Sequence, residues 1–148
     1  MHLDYQLNEA RDTDWSSVTE EDLRYRVALG NLILHVGDKD FSASWGWIPL
    51  VDLAASFAEI IHKLESGSSS ETFEFTESDA WIRFEKKDAK VLVSASYGEG
   101  IGETPLHAVS EAVKSFRERL RSELVRRYPE VGNNPTFKKL FGTGHGRG

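Results

Sequence analysis

The chain has 148 residues, 39% of them hydrophobic and 11% aromatic, which suffices for the core of one folded domain and argues against intrinsic disorder. It contains no cysteine, which excludes disulfide frameworks, thiolate catalysis and cysteine-based zinc sites. The net charge of −6 is uneven, with +5 on residues 104–148 and −11 on residues 1–103, and the acidic part disfavours nucleic acid and suits a basic partner.

The first third of the chain predicts four strands. Apolar and polar residues alternate over residues 2–7, and the same alternation over residues 23–30 predicts a second strand. The polar connection between these two strands contains Trp15, which we expect to act as a buried anchor. Residues 31–47 predict a hairpin whose turn is the sequence GDKD.

Two longer helices are predicted further along the chain. Apolar residues at spacings of three and four over residues 50–64 form one helical stripe, and Gly67 suits the position just past its end. A second helix is predicted from Thr104, as the N-cap, to about residue 128. Residues 136–141 predict a short helical turn that packs its two phenylalanines against the body.

A three-stranded meander is predicted between the two helices, over residues 71–77, 80–86 and 90–97. The predicted order is therefore β-β-β-β-α-β-β-β-α. This order indicates an α+β fold, with an antiparallel twisted sheet of about six or seven strands and two main helices packed on one face. We predict a single domain over residues 1–142 and a disordered tail over residues 143–148.

No catalytic residue, cofactor site or metal site is predicted. The five histidines show no metal-ligand spacing, and the chain has no nucleophile-elbow motif. The glycine-rich stretch SYGEGIGETP, residues 96–105, has Glu103 where a dinucleotide fingerprint needs its third glycine, and it lacks the lysine of a P-loop. We interpret it as a flexible, acidic strand-to-helix connection whose glycines permit positive φ and which contacts a basic partner.

Acidic residues form the main predicted contact surface for such a partner. Four of them surround one predicted strand and two lie in the glycine-rich loop: Glu71, Glu74, Glu77, Asp79, Glu99 and Glu103. The competing interpretation is an exposed, charged sheet edge that discourages strand addition.

Trp45 and Trp47 flank Gly46 and complete the predicted contact set. Tryptophan is enriched at binding hot spots, but two tryptophans at this spacing in an extended chain face the same way, so joint burial over the core is the simpler interpretation.

Neither nucleic acid nor a membrane is expected as a partner. The basic second helix interleaves its arginines with glutamates and has no groove-reading motif or stacking aromatics. No apolar run approaches the ~20 residues that cross a bilayer, and the first twenty residues are too polar for a signal peptide. We therefore expect a cytoplasmic protein.

Two stretches resemble small bacterial proteins found among the immunity proteins of toxin systems. These are FSASWGWIPLVDLAASFAEII (residues 41–61) and AWIRFEKKDAKVLVSASY (residues 80–97), within a similarity that covers about residues 30–128. The shared pattern is a strand that runs through a proline into an alanine-rich helix, then a strand meander and a long C-terminal helix. The resemblance implies a small, acidic binding protein without catalysis, and it carries over no individual functional residue.

The sequence thus favours a non-catalytic protein-binding module, specifically an immunity-type inhibitor that caps a basic toxin with its acidic surface. One alternative is a small ligand-binding protein or enzyme with a pocket between sheet and helices. Another is a homodimeric structural module that pairs through the Trp45–Trp47 region.

Overall fold

The structure is a computed structural model, and it describes residues 1–10 and 12–141. The predicted tail over residues 143–148 therefore lies outside the described residues. In chain order the elements are β1 (His2–Leu7), α1 (Glu20–Tyr25), β2 (Leu29–Val36), β3 (Lys39–Asp40), β4 (Ala43–Pro49), α2 (Leu50–Glu65), β5 (Ser70–Glu74), β6 (Trp81–Lys87), β7 (Lys90–Ala95), β8 (Gly102–Pro105), α3 (Leu106–Arg127), a 3-10 turn (Pro129–Asn133) and α4 (Pro135–Phe141).

The strands form two antiparallel sheets. In sheet A, β2 pairs with β1, β3 and β4, whereas sheet B has the order β5-β6-β7-β8. The predicted α+β class with antiparallel strands is confirmed, but the single sheet of six or seven strands is replaced by two sheets of four. Alternation along a strand shows which face is buried, but it does not show which ladder the strand joins.

One pair of helices covers the inner faces of both sheets. Helix α2 contacts α3, β2, β4 and β5, and helix α3 contacts β1, β7 and β8. The buried side chains of the sheets and helices belong to one connected hydrophobic cluster. The two sheets also meet directly at Gly102, where a Cβ atom would lie 2.4 Å from the carbonyl oxygen of Val36. Only glycine allows an approach this close.

The segment from residue 20 to residue 28 differs from its prediction. The predicted strand over residues 23–30 begins only at Leu29, because residues 23–25 belong to α1 and residues 26–28 form a turn. Thr19 and Asp22 cap this helix reciprocally, and the Thr19 backbone N–H lowers the pKa of Asp22. The sequence T-E-E-D carries this capping signal, whereas the alternation of apolar residues pointed to a strand.

Helix α2 confirms its predicted stripe. Its buried residues include Leu53, Phe57 and Leu64, and Gly67 follows its last residues with φ +118°. Helix α3 begins later than predicted. Thr104 is a buried residue of β8, and Pro105 takes the N-cap position.

The C-terminal segment packs against the connection that contains Trp15. The predicted anchor is confirmed, since Trp15 is 1% exposed and stacks on Tyr128 at 4.4 Å between ring centroids. Buried Asn134 donates from Nδ2 to the carbonyl oxygens of Trp15 and Val18, at 3.1 and 3.0 Å. The two phenylalanines of α4 are buried as predicted.

Candidate functional site

A large bulge in β4 displays the two predicted tryptophans. Strand β2 pairs Leu32 with Ala43 and Gly30 with Ile48, so residues 44–47 lie opposite Asn31 alone. Two hydrogen bonds hold the bulge. The Gly46 N–H donates to Asn31 Oδ1 at 2.7 Å, and Asn8 Nδ2 donates to the Gly46 carbonyl oxygen at 2.6 Å. Gly46 has φ +80°, a conformation that side chains disfavour.

Trp45 and Trp47 stack on each other within this bulge, with ring centroids 5.3 Å apart and planes inclined at 18°. The edge-to-face contacts of Trp45 with Phe75 and Tyr97, at 5.1 and 5.0 Å, anchor it to the body. Tyr97 is itself fixed, since its hydroxyl donates to the Phe41 carbonyl oxygen at 2.7 Å. Burial raises the pKa of Tyr97, which keeps this donor protonated.

The predicted joint burial of the tryptophan pair is confirmed only in part. Each indole is half-buried, so the pair neither disappears into the core nor stands free in solvent. Trp45 packs against Phe75 and Tyr97, whereas among the described residues Trp47 has Trp45 as its sole aromatic neighbour. Trp45 and Trp47 therefore form a fixed aromatic surface that is partly exposed to solvent.

The tryptophan pair forms one wall of an open cleft of about 480 Å³, which we call the tryptophan cleft. It is lined by Trp45, Trp47, Ser78, Asp79, Ala80 and Ser96. Ser78 Oγ accepts from the Ala80 N–H at 3.1 Å, and Ser96 Oγ accepts from the Trp81 N–H at 2.9 Å. Neither hydroxyl donates to another described residue, so both donors remain available.

Asp79 supplies the charge of the tryptophan cleft. Its side chain is exposed in the turn between β5 and β6, and no described residue forms an ion pair or a hydrogen bond with its carboxylate. Glu77 in the same turn and Glu99 in the loop after β7 lie at the same end of sheet B. The cleft therefore combines an aromatic wall, an unpaired carboxylate and two hydroxyl donors.

The structure does not bring the six predicted acids together. Glu71 lies on the inner side of β5 and accepts from Ser68 Oγ at 2.6 Å, whereas Glu74 points outward, opposite Trp81. Glu103 lies on β8, at the other edge of sheet B, and forms an ion pair with Lys90 at 2.7 Å. These two edges are about 14 Å apart at ordinary strand spacing. The six acids are therefore spread across sheet B and do not form one tight cluster.

The glycines of the glycine-rich loop mainly allow close packing against other segments, and only one of them adopts a positive φ. Of its three glycines only Gly100 has positive φ, at +80°. At Gly98 a Cβ atom would lie 2.6 Å from the Phe41 ring, and Gly102 contacts the end of β2 as described above. Strand β8 separates the loop from α3, so the predicted direct connection from strand to helix is wrong.

Two asparagines of this site were not predicted. Asn8 and Asn31 determine the shape of the bulge, but an isolated asparagine in or after a strand gives no sequence signal for such a role. The exposed Arg83, which lies 4.5 Å from the centre of the Trp81 ring on the outer face of β6, was also not singled out.

Two further grooves run along the seam between β1 and α3, with volumes of about 280 and 390 Å³. Their polar groups are largely paired with one another. The Tyr5 hydroxyl donates to Glu123 at 2.6 Å, and Arg119 donates to the Leu3 carbonyl oxygen at 2.7 Å. The buried carboxylate of Asp52 lines none of the three grooves described here, and it accepts two hydrogen bonds from Arg24.

Residues 1–10 and 12–141 contain no group of three or more histidine, aspartate or glutamate side chains arranged to hold a metal ion. Within the same residues, no helix combines the length and apolarity needed to cross a membrane.

Comparisons of the chain with protein family models, with curated proteins and with solved structures found no match. The function is therefore inferred from the chemistry of the tryptophan cleft.

Substituting Asn31 with alanine should loosen the bulge. The Gly46 N–H would lose its acceptor, at a cost of about 1 kcal/mol in the free energy of unfolding. The near-ultraviolet circular dichroism of the stacked tryptophans should weaken at the same time. Asn133→Ala, at an exposed position in the 3-10 turn, is the matched control. An unchanged dichroism signal in Asn31→Ala would show that the bulge holds its shape without this contact.

Proposed function

We propose that the chain is a non-catalytic protein-binding module that recognises a basic protein partner through the tryptophan cleft. The observation that carries this proposal is the unpaired carboxylate of Asp79 beside two stacked, half-buried tryptophans. Tryptophan is enriched at binding hot spots, since it offers a large contact area at little cost in conformational entropy.

The cleft is prepared for binding before any partner arrives. The bulge is held by Asn8 and Asn31, and Trp45 is packed against Phe75 and Tyr97. A surface that is already ordered loses little freedom when it binds, and this supports affinity. Glu77 and Glu99 at the same end of sheet B would steer a positively charged partner toward the cleft.

The specific form that we propose is an immunity-type inhibitor acting in the cytoplasm. Such a protein covers the basic active site of a toxin and needs no catalytic groups of its own. The charge of −11 on residues 1–103 and the resemblance of residues 41–61 and 80–97 to immunity proteins support this form. Neither a nucleic acid nor a membrane has a role in this proposal.

The two alternatives predict different behaviour. A ligand-binding protein or enzyme would need an available polar group in a pocket between sheet and helix, whereas Tyr5, Glu123 and Arg119 along the β1–α3 seam are bonded to their own chain. A homodimer that pairs through Trp45 and Trp47 would hide the tryptophan cleft, and its mass in solution would be twice that of the chain.

The proposal is tested by affinity capture from a lysate of the native host, with mass spectrometry to identify what is retained. We expect a protein with a basic isoelectric point to bind the wild-type chain, and to be lost from Asp79→Asn and at raised salt concentration. Asp88→Asn is the matched control because it makes the same change of charge in the turn between β6 and β7, at the opposite end of sheet B. Retention that is indifferent to salt and to Asp79→Asn would contradict the proposal, as would a stable dimer in light scattering.

A further inference from the structure

The inference in this section rests on the proposed function and names the group that the cleft recognises. We propose that the tryptophan cleft binds an arginine side chain of the partner, with the guanidinium stacked on Trp47 and paired with the carboxylate of Asp79.

The aromatic wall suits a flat cation. One face of Trp47 is covered by Trp45, and no other described aromatic ring contacts Trp47. A guanidinium stacks face to face on an indole and is attracted by the negative potential of its π surface. The stacked partner holds Trp47 in place, so little side-chain freedom is lost when the ligand arrives.

The remaining lining supplies the counter-charge. Asp79 has no bonded partner among the described residues, and a carboxylate accepts two parallel N–H bonds from a guanidinium. An anionic ligand would be repelled by the same carboxylate. A lysine ammonium is compact and strongly hydrated, and it neither stacks nor forms a fork of parallel hydrogen bonds. Charge and shape together therefore select arginine.

The chain itself contains one example of each interaction: a guanidinium over an indole, and a guanidinium paired with a carboxylate. Arg83 lies over the ring of Trp81 at 4.5 Å, on a strand that begins beside the cleft. Arg24 donates from Nε and Nη2 to Asp52 at 3.1 and 2.5 Å. In the tryptophan cleft an indole and a carboxylate lie together, but the described residues supply no arginine to them. The partner would supply it.

The test uses two short peptides and the intact chain. Acetyl-Gly-Arg-Gly-amide is compared with the same peptide carrying citrulline, which keeps the planar shape and replaces the charged guanidinium with a neutral urea. Binding is followed by the indole N–H resonances of the four tryptophans, with Trp47 assigned through the Trp47→Phe variant. We expect the arginine peptide to shift the Trp47 resonance and to bind about tenfold more tightly than the citrulline peptide.

Variants of the protein separate the contribution of the Asp79 ion pair from that of stacking on Trp47. Asp79→Asn should lower the affinity for the arginine peptide several-fold, and the advantage over the citrulline peptide that remains is the contribution of the guanidinium stacked on Trp47. Asp88→Asn should leave the affinity for both peptides unchanged. Asp88 has φ +56°, which asparagine tolerates well, so this control keeps the fold. Equal binding of the two peptides would overturn the inference, and so would shifts that Asp79→Asn does not alter.

Failure of this inference is distinguishable from failure of the proposed function. A basic partner captured through Asp79, together with equal affinities for the two peptides, would overturn arginine recognition and leave partner binding in place. A Trp47 resonance that moves with protein concentration and not with peptide would show that a second copy covers the cleft, and it would overturn both.

Discussion

Replacing Gly30 with alanine is expected to lower the free energy of unfolding by about 3 kcal/mol. Gly30 pairs with Leu7 of β1 and with Ile48 of β4, in the middle of sheet A. A Cβ atom at this position would lie 1.9 Å from the carbonyl oxygen of Gln6, which belongs to the backbone of β1. No side-chain rotation relieves such a contact, so β1 would have to move away from β2.

Gly67→Ala provides the comparison for this prediction. Gly67 has φ +118°, and nothing lies within 4 Å of the Cβ atom that alanine would add. Its substitution therefore carries backbone strain of about 1–2 kcal/mol and no steric clash. Chemical denaturation of both variants gives the two values. A Gly30→Ala variant no less stable than Gly67→Ala would mean that β1 moves aside at little cost.

Removing Arg24 is expected to have the second large effect, a loss of about 3 kcal/mol in the free energy of unfolding for Arg24→Met. Asp52 is 6% exposed at the start of α2, and both hydrogen bonds from the Arg24 guanidinium end on its Oδ1. Without the guanidinium, a carboxylate stays buried with no countercharge. The figure lies at the low end for buried pairs because the Arg24 side chain is 25% exposed.

A double variant distinguishes a lost ion pair from lost packing. Adding Asp52→Leu to Arg24→Met removes the buried charge, so most of the stability should return. Arg26→Met is the matched control, since Arg26 is 61% exposed and its pairs with Glu21 and Asp22 lie in solvent. That control should unfold almost as the wild type does. No recovery in the double variant would mean that Arg24 stabilises the fold through its methylene groups.

The tryptophan cleft could be predicted only in part. The sequence singled out Trp45, Trp47 and Asp79, because indoles and carboxylates are recognisable wherever they occur. It did not show that Glu71 points inward to Ser68 or that Glu103 pairs with Lys90 on the far edge of sheet B. Those facts depend on strand register, which is set by residues far apart in the chain.

Local features were determined by the sequence itself. The buried stripe of α2 follows from apolar spacing within one helix. The interleaved glutamates and arginines of α3 form the pairs Glu118–Arg121 and Glu123–Arg127 at spacings of three and four residues. Helix α1 belongs to the same class, because the reciprocal caps of Thr19 and Asp22 are only three residues apart. The alternation of apolar residues over residues 23–30 predicts a strand here, whereas the cap at Thr19 and Asp22 indicates the helix that forms.

The tertiary structure alone decided how the elements meet. The division into two sheets, the insertion of β8 before α3, and the bulge opposite Asn31 depend on contacts between distant residues. The glycines show the difference clearly, since Gly30 and Gly102 are required by backbone atoms of other strands. Propensity and periodicity act over a few neighbouring residues, whereas strand pairing and close packing depend on the whole chain.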